Sequence, residues 1–349
     1  MTKRFRSRWR SRLLLLLGAL LASLIVLEIG MRIYVEVAGN LTVLQADERL
    51  GWRLVPGAHM HVDNEVQAYS IAVNSRGLRD RETTYERSDG TYRALLLGDS
   101  FTFATGGVDY GSRFSELLES RMTGLEVVNA GVPGFSVDQE YLWFIDEGIR
   151  YSPDLVMVCL YWNDDLETFV ANHPKIARSK PCLRREGDSL SIRPPQLGIG
   201  ERYLEYSRAL SWIERRLATL TAKRRALPER EIENEERLFC FEQLVRLFER
   251  ATDKLSADLA FVYLPHPWDA AAQPNVLQFT LAETCAASDC VWLDLTPVLG
   301  PDNPPQPAFF PINGHLNEYG HELTADALET AIRSFDSWNR FTASGEPLD

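Results

Sequence analysis

Cysteine is scarce in this chain, five in 349 residues, and none of the five falls into a CxxC pair or a Cys/His cluster. A zinc centre is therefore not expected. His59 and His61 stand two apart and can share one strand face, but no third ligand accompanies them, and they read as solvated histidines. No metal and no cofactor is implied. Internal repeats and low-complexity tracts are also missing, which argues against repeat architectures. Basic charge is thin wherever it would matter for nucleic acid. Residues 1–36 hold seven Lys and Arg against two acids, so the rest is more acidic than the net charge of −12 indicates. An acidic body is a poor partner for phosphates.

The basic N-terminal stretch precedes LLLLLGALLASLIVL at residues 13–27. Positive charge ahead of an apolar run keeps the N-terminus in the cytoplasm and sends the downstream chain across the bilayer. Fifteen residues fall short of a hydrocarbon core of about 30 Å. Continuing through Ile29, Gly30, Met31, Ile33 and Tyr34 supplies the missing length. Glu28 and Arg32, four apart, can pair on one helix face. A cleaved signal peptide is the competing reading, but no small-x-small site comes after the run and no cysteine lies near for lipidation. The expectation is a basic tail (1–12), a retained single-pass anchor of the inner, cytoplasmic membrane (13–34) that contacts lipid, and an extracytoplasmic body. In an exported body Cys285 and Cys290 can bridge a short loop; Cys159, in an apolar strand, reads as a small buried hydrophobe.

An apolar fraction of 45% and a charged fraction of 25% are those of a globular chain long enough for one large domain. Residues 35–90 form a lead-in, where Tyr69, Ile71 and Val73 alternate before a turn at 74–77. From residue 91 to about 340 strand and helix alternate, the pattern of a parallel sheet covered on both faces. Strands are expected at 94–97, 125–128, 155–160, 259–264 and 291–295. Helices are expected near 114–122, 137–149 and 235–255, with a last one from about 317. A long insertion, about 166–228, interrupts this pattern; Leu210, Ile213, Leu217 and Leu220 predict a helix there, either a lid or membrane-surface element or a solvated helix packed on the domain.

The first strand runs into Gly98-Asp99-Ser100 within ALLLGDSFTF. The tripeptide is either an ordinary turn or a site that exposes Ser100 Oγ at the carboxyl edge of the sheet, where open α/β sheets place their ligands. Three further segments reach the same edge: VVNAGVPGF at 127–135, YWNDD at 161–165 and NGHLNEYGH at 313–321. In this order and spacing the four blocks resemble the SGNH/GDSL hydrolase superfamily over about residues 51–333. They are most similar to a bacterial subgroup with an N-terminal anchor, which also shows a GW segment like Gly51-Trp52 and an N-S-x-G-L-R-D segment like residues 74–80. The resemblance implies a flavodoxin-like three-layer α/β sandwich with a central parallel sheet, and ester chemistry by a serine nucleophile. Ser100 would attack the acyl carbon and His315 would shuttle the proton. The Ser100 N–H, the Gly131 N–H and the Asn163 amide would hold the oxyanion. Asp99 would shape the turn, Asp164 would fix the loop that presents Asn163, and His321 would serve helix packing.

One position departs from the pattern. The family places an aspartate two or three residues before the histidine, and this chain has Asn313 and Ile312. Three readings are open: a Ser–His dyad oriented by Asn313 or a carbonyl, another carboxylate among Asp269, Asp302 and Glu318, or a slow or defunct site. The resulting expectation is a membrane-anchored serine esterase or acyl hydrolase acting on O-acyl esters. The alternatives are an O-acyltransferase using a cell-envelope polysaccharide, whose partner would be an acylated polysaccharide, and an inactive carbohydrate-binding module of the same fold.

Overall fold

The computed structural model describes residues 2–37, 43–63, 68–162, 164–169, 171–173, 178–197, 207, 209–210, 213, 234–266, 276–300 and 304–344. Helix α1 (Thr2–Val37) holds an apolar stretch, Arg12–Ile33, that is long and apolar enough to cross a membrane. Within it Arg32 Nε donates to Glu28 Oε1 at 2.8 Å, the pairing the four-residue spacing predicts. Two antiparallel hairpins come next, β1 (Leu44–Asp47) with β2 (Gly51–Leu54) and β3 (His59–Asp63) with β4 (Ala68–Ala72).

The central sheet has five parallel strands: β5 (Tyr92–Gly98), β6 (Leu125–Gly131), β7 (Leu155–Tyr161), β12 (Asp258–Leu264) and β13 (Val291–Asp294), in the order β13-β12-β7-β5-β6. Successive side chains of a strand point to opposite faces, and the two cores divide accordingly. Leu95, Leu97, Val156, Val158 and Leu160 pack on one face, Ala94, Leu96, Leu155, Met157 and Cys159 on the other. Helices α3 (Val137–Asp146), α5 (Asn234–Asp253) and α6 (Val276–Ala286) cover the first face through Phe144, Leu244, Phe248 and Leu281. The second face is covered by α2 (Phe114–Arg121), the single turn α7 (Thr296–Leu299) and α8 (Glu318–Ser334), through Phe114, Leu118, Leu299, Leu328 and Ile332. Each fully buried aliphatic or aromatic side chain of this kind contributes about 1.5–3 kcal/mol. The result is the three-layer α/β sandwich the alternation predicts.

Two strands run further than apolar content alone indicates. β6 continues through Asn129, Ala130 and Gly131 because these pair in register with Leu96, Leu97 and Gly98 of β5. β5 starts at Tyr92 and takes in Arg93, a buried cation bonded at each guanidinium nitrogen. Between β7 and α5 the insertion opens on structure its apolar spacing does not predict. After the single turn α4 (Asp164–Glu167) come two hairpins, β8 (Asn172–His173) with β9 (Arg178–Ser179) and β10 (Cys182–Glu186) with β11 (Ser189–Arg193). Leu183 on β10 enters the core, which ties this segment to the domain. Of residues 203–227, where the helical spacing lies, Ala209, Leu210 and Ile213 are helical, as that spacing predicts, and nearly all the others fall outside the described residues. Cys285 and Cys290 are bridged, and Cys159, Cys182 and Cys240 are buried free thiols.

The lead-in is part of the domain rather than an appendage. Trp52, wholly buried, donates from Nε1 to the Pro133 carbonyl at 3.1 Å, and its ring meets Phe135 edge-on. Ile71 and Val73 pack in the same cluster as Phe103 and Val132.

Candidate active site

Ser100 stands just beyond β5 at the carboxyl edge of the sheet, where the chain folds back over the strand ends. The turn is closed by Phe103 N donating to Asp99 O at 3.0 Å and Thr105 N to Ser100 O at 2.8 Å. Asp99 shapes it further, its Oδ1 accepting from Phe101 N at 2.8 Å. Two glycines sit side by side beneath this fold-back, Gly98 and Gly131, paired across neighbouring strands. A Cβ at Gly98 would stand 2.1 Å from Thr102 Oγ1, and one at Gly131 2.4 Å from Phe103 N. Only bare backbone lets the nucleophile loop lie so low on the sheet.

His315 approaches from the short bend closed by the Phe309–Leu316 bridge, just ahead of α8, and its Nε2 lies 2.9 Å from Ser100 Oγ. Both side chains are half-buried. The imidazole rests against Phe101, with ring centroids 4.9 Å apart, and Phe101 stacks on Tyr161 at 4.4 Å. An apolar backing of this kind limits the rotamers of the histidine.

Asn313 does not reach the imidazole through the bonds it makes here. Its Oδ1 accepts from the backbone N–H of His315 at 3.0 Å, and its Nδ2 donates to the Gly106 carbonyl at 3.2 Å. It thus fixes the bend that carries His315. Glu318, one of the carboxylates considered as a substitute, is exposed in the first turn of α8. Asp269 and Asp302 lie outside the described residues, as does Asn163. Its neighbour Asp164 accepts from Tyr161 N at 2.6 Å, closing the chain turn that begins at the end of β7.

Gly131 needs a correction. Its N–H donates to Asn129 Oδ1 at 3.0 Å and so is taken up inside the protein, not turned toward Ser100. The glycine is required here for close packing. The segment holds another backbone turn at the same edge, closed by Phe135 N donating to Val132 O at 3.1 Å, with Pro133 and Gly134 (φ +76°) at its centre. In a turn of this sequence the N–H of the residue after proline has no part in the closing bond. Pro-Gly was the signal for it in the sequence.

His321, six residues beyond His315, is wholly inside. Its Nδ1 accepts from Phe114 N at 3.3 Å and its ring stacks on Phe114. Burial, with the nearby Arg113 and Arg79, pushes its pKa down to about 3, so it stays neutral and holds α8 to α2. His59 and His61 are exposed on β3, and no metal-binding group of three or more His, Cys, Asp or Glu exists among the described residues.

Buried acids crowd the β7 side of Ser100. Burial lifts Asp99 to about 7, and lifts Glu140 and Asp164 well above the ordinary carboxylate range. Among the described residues the one cation between them is Lys180, wholly buried, whose Nζ lies 3.1 Å from both oxygens of Asp138.

A parallel α/β sandwich with a serine and a histidine in hydrogen-bond contact at its carboxyl edge is the frame of a serine hydrolase. The model of the GDSL-like Lipase/Acylhydrolase family matches residues 96–323, well over half of the chain. The chain belongs to this family, whose members are ester-bond hydrolases. No curated protein matches it. Among solved structures it is similar to a lipolytic protein of the G-D-S-L family from Desulfitobacterium hafniense DCB-2, at 16% identity and a TM-score of 0.40 over 69% of this chain and 99% of that one. It is also similar to the acetyl xylan esterase AlAXEase, at 14% identity and a TM-score of 0.41 over 69% and 99%. A third, the psychrotrophic esterase EstA from Pseudoalteromonas sp., shares 12% identity at a TM-score of 0.40 over 69% and 96%.

Proposed function

We propose that the protein is a membrane-anchored serine esterase that cleaves O-acyl esters outside the cytoplasmic membrane, with Ser100 as nucleophile and His315 as its base. The observation that carries this reading is the 2.9 Å contact between Ser100 Oγ and His315 Nε2. In the first step Ser100 Oγ bonds to the acyl carbon while its proton passes to Nε2. The imidazolium then returns that proton to the leaving alcohol as the ester C–O bond breaks. Water, deprotonated by the same nitrogen, releases the acid and restores Ser100. The Ser100 N–H, the Gly134 N–H and the Asn163 amide serve as oxyanion donors, Gly134 taking the place of Gly131. Losing one such donor costs about 3–4 kcal/mol of transition-state stabilisation.

Asn313, standing where the resemblance places an aspartate, supplies no charge to the imidazolium; it holds the backbone of His315 through that residue's N–H. The anchor is supported by the apolar stretch of α1 and the basic residues before it, and export by the Cys285–Cys290 bridge, a bond of oxidising compartments.

A fluorophosphonate probe should label the full-length protein at Ser100, and Ser100→Ala should lose both labelling and aryl-ester turnover, by about 10⁶-fold. A wild type that stays unlabelled beside a reacting control hydrolase defeats the enzyme reading. Protease added to spheroplasts should digest the region beyond residue 37; protection until lysis would reverse the topology.

A further inference from the structure

The nucleophile loop is gripped by the lead-in. Arg79, 2% exposed, donates from Nη1 to the carbonyls of Phe103 at 2.7 Å and Ala104 at 2.8 Å. From Nη2 it donates to Val108 O at 3.1 Å and Ser70 O at 3.3 Å. Three of these four carbonyls belong to the loop that comes after Ser100. That loop is conformationally demanding: Ala104, Gly106 and Gly107 have φ of +61°, +120° and +127°. The glycines adopt these angles freely, whereas Ala104 carries about 1–3 kcal/mol of strain that its surroundings must offset.

The far side of the loop touches the histidine bend. The Gly106 carbonyl accepts from Asn313, Asn313 accepts from the His315 N–H, and a Cβ on Gly106 would stand 3.0 Å from the His315 Cβ. The next residue, Asp80, works from the other side: its Oδ2 accepts from Asn129 N at 2.9 Å, and Asn129 Nδ2 donates to Thr102 O at 2.9 Å. We propose that Arg79 is a positioning residue for the Ser100–His315 pair, acting through residues 103–108 and Asn313. A planar fork with donors on both arms can hold carbonyls on separate stretches of chain at once, which one ammonium on a flexible stem cannot reproduce. For stability alone a buried guanidinium is a poor choice, because an apolar side chain of similar volume avoids its desolvation. The lead-in thereby belongs to the catalytic machinery and is not only packing.

The proposal rests on the esterase reading above, and the full-length protein in detergent tests the two separately. Arg79→Lys and Gly106→Ala are compared with wild type for p-nitrophenyl acetate turnover, for the rate of fluorophosphonate labelling, and for thermal midpoint. Both variants should lose about 10–100-fold in kcat, with KM nearly unchanged and labelling slowed in parallel, since a displacement of about 1 Å costs on that order. Arg79→Ala should be inactive and regain turnover with added ethylguanidinium but not with ethylammonium. If Arg79→Ala does not fold, the other two variants decide. The proposal is overturned if folded Arg79→Lys and Gly106→Ala keep wild-type kcat, if KM rises while kcat holds, or if ethylammonium rescues equally well. A wild type that neither labels nor turns over sinks the esterase reading instead.

Discussion

Charge is buried on two flanks of the domain, and the two flanks handle it differently. Beside β5 and β6 arginines predominate, with Asp80 a buried acid among them. Arg79 bonds four carbonyls, Arg93 bonds Glu126 and the carbonyls of Tyr85, Tyr151 and Glu86, and Arg113 bonds Glu116 and the Arg79 carbonyl. Partners there are shared: Glu126 also pairs with Arg81 at 3.0 Å. Even Arg79, lowered to about 10 chiefly by burial, keeps its charge at neutral pH. On the β7 side the buried groups are acids: Asp99, Asp138, Glu140 and Asp164, with Lys180 their one cation among the described residues. Neither oxygen of Glu140 has a hydrogen-bond partner among the described residues. The cationic flank meets burial with many hydrogen bonds, four to Arg79, four to Arg93 and three to Arg113; the acidic flank pairs Asp138 with Lys180 and otherwise favours the protonated carboxyl, burial having raised Asp99, Glu140 and Asp164. A carboxyl group has that second option in the physiological range, and a guanidinium does not.

The comparison breaks most sharply at Lys180. Lys180→Met should destabilise the protein by about 3–5 kcal/mol in urea unfolding, because it strands Asp138 in an acidic interior. Adding Asp138→Leu should recover most of that loss. A cost below about 1 kcal/mol would show that Asp138 already holds a proton beside the lysine.

Glu140 gives the second effect, and its sign is fixed by linkage. Its folded-state pKa is raised by burial first, then by Asp99 and Asp138. Its stability contribution is therefore whole below the unfolded pKa of about 4.3 and drains away as pH rises toward the folded value. Glu140→Gln should match wild type near pH 4 and exceed it above, by up to about 1.4 kcal/mol per pH unit. Thermal midpoints between pH 4 and 8 check this; parallel curves for the two proteins would refute it.

Arg93→Met should cost less, about 1–3 kcal/mol, because Glu126, though it loses Arg93, keeps Arg81, and the other groups left without that partner are carbonyls. A loss as large as that of Lys180→Met would mean the sharing on that flank has no protective value. Smallest is Asn313→Asp. The new oxygen would face the Gly106 carbonyl where an N–H now donates, so kcat for an aryl ester should change by less than about tenfold, and downward. A large gain would place the carboxylate on the imidazole after all.

How much of this was legible depends on range. The five core strands announce themselves as short apolar runs, and Asn317 as the N-cap of α8, its side chain accepting from Gly320 N at 2.9 Å. Those are local signals. The extension of β6 through Asn129 and Gly131 is not local: poor strand formers are drawn in by the ladder of β5. Gly131 and Gly134 both looked able to aim an N–H, and only the Asn129 side chain, two residues away in sequence but folded back, separates them. Likewise Asn313 stood at a position where an acid is expected, yet what it bonds depends on Gly106, more than two hundred residues earlier. Arg79 lay in a segment recognisable by resemblance alone. Nothing in a sequence distinguishes an arginine buried against carbonyls from one in water, and the acids of the β7 flank were invisible for the same reason. The hairpins of the insertion are short and polar, CLRRE and SLSIR, and leave no apolar run to announce them.

The disposition of sulfur has a practical consequence. Two of the five cysteines are joined to each other, and the remaining three are shut inside the domain, Cys159 on the sheet, Cys182 at the base of the insertion and Cys240 on α5. To a water-soluble maleimide the folded protein should be silent. A single cysteine introduced on the lead-in, on α1 or beside Ser100 would then be the sole reactive thiol, and would take a fluorophore or spin label without any native residue having to be removed.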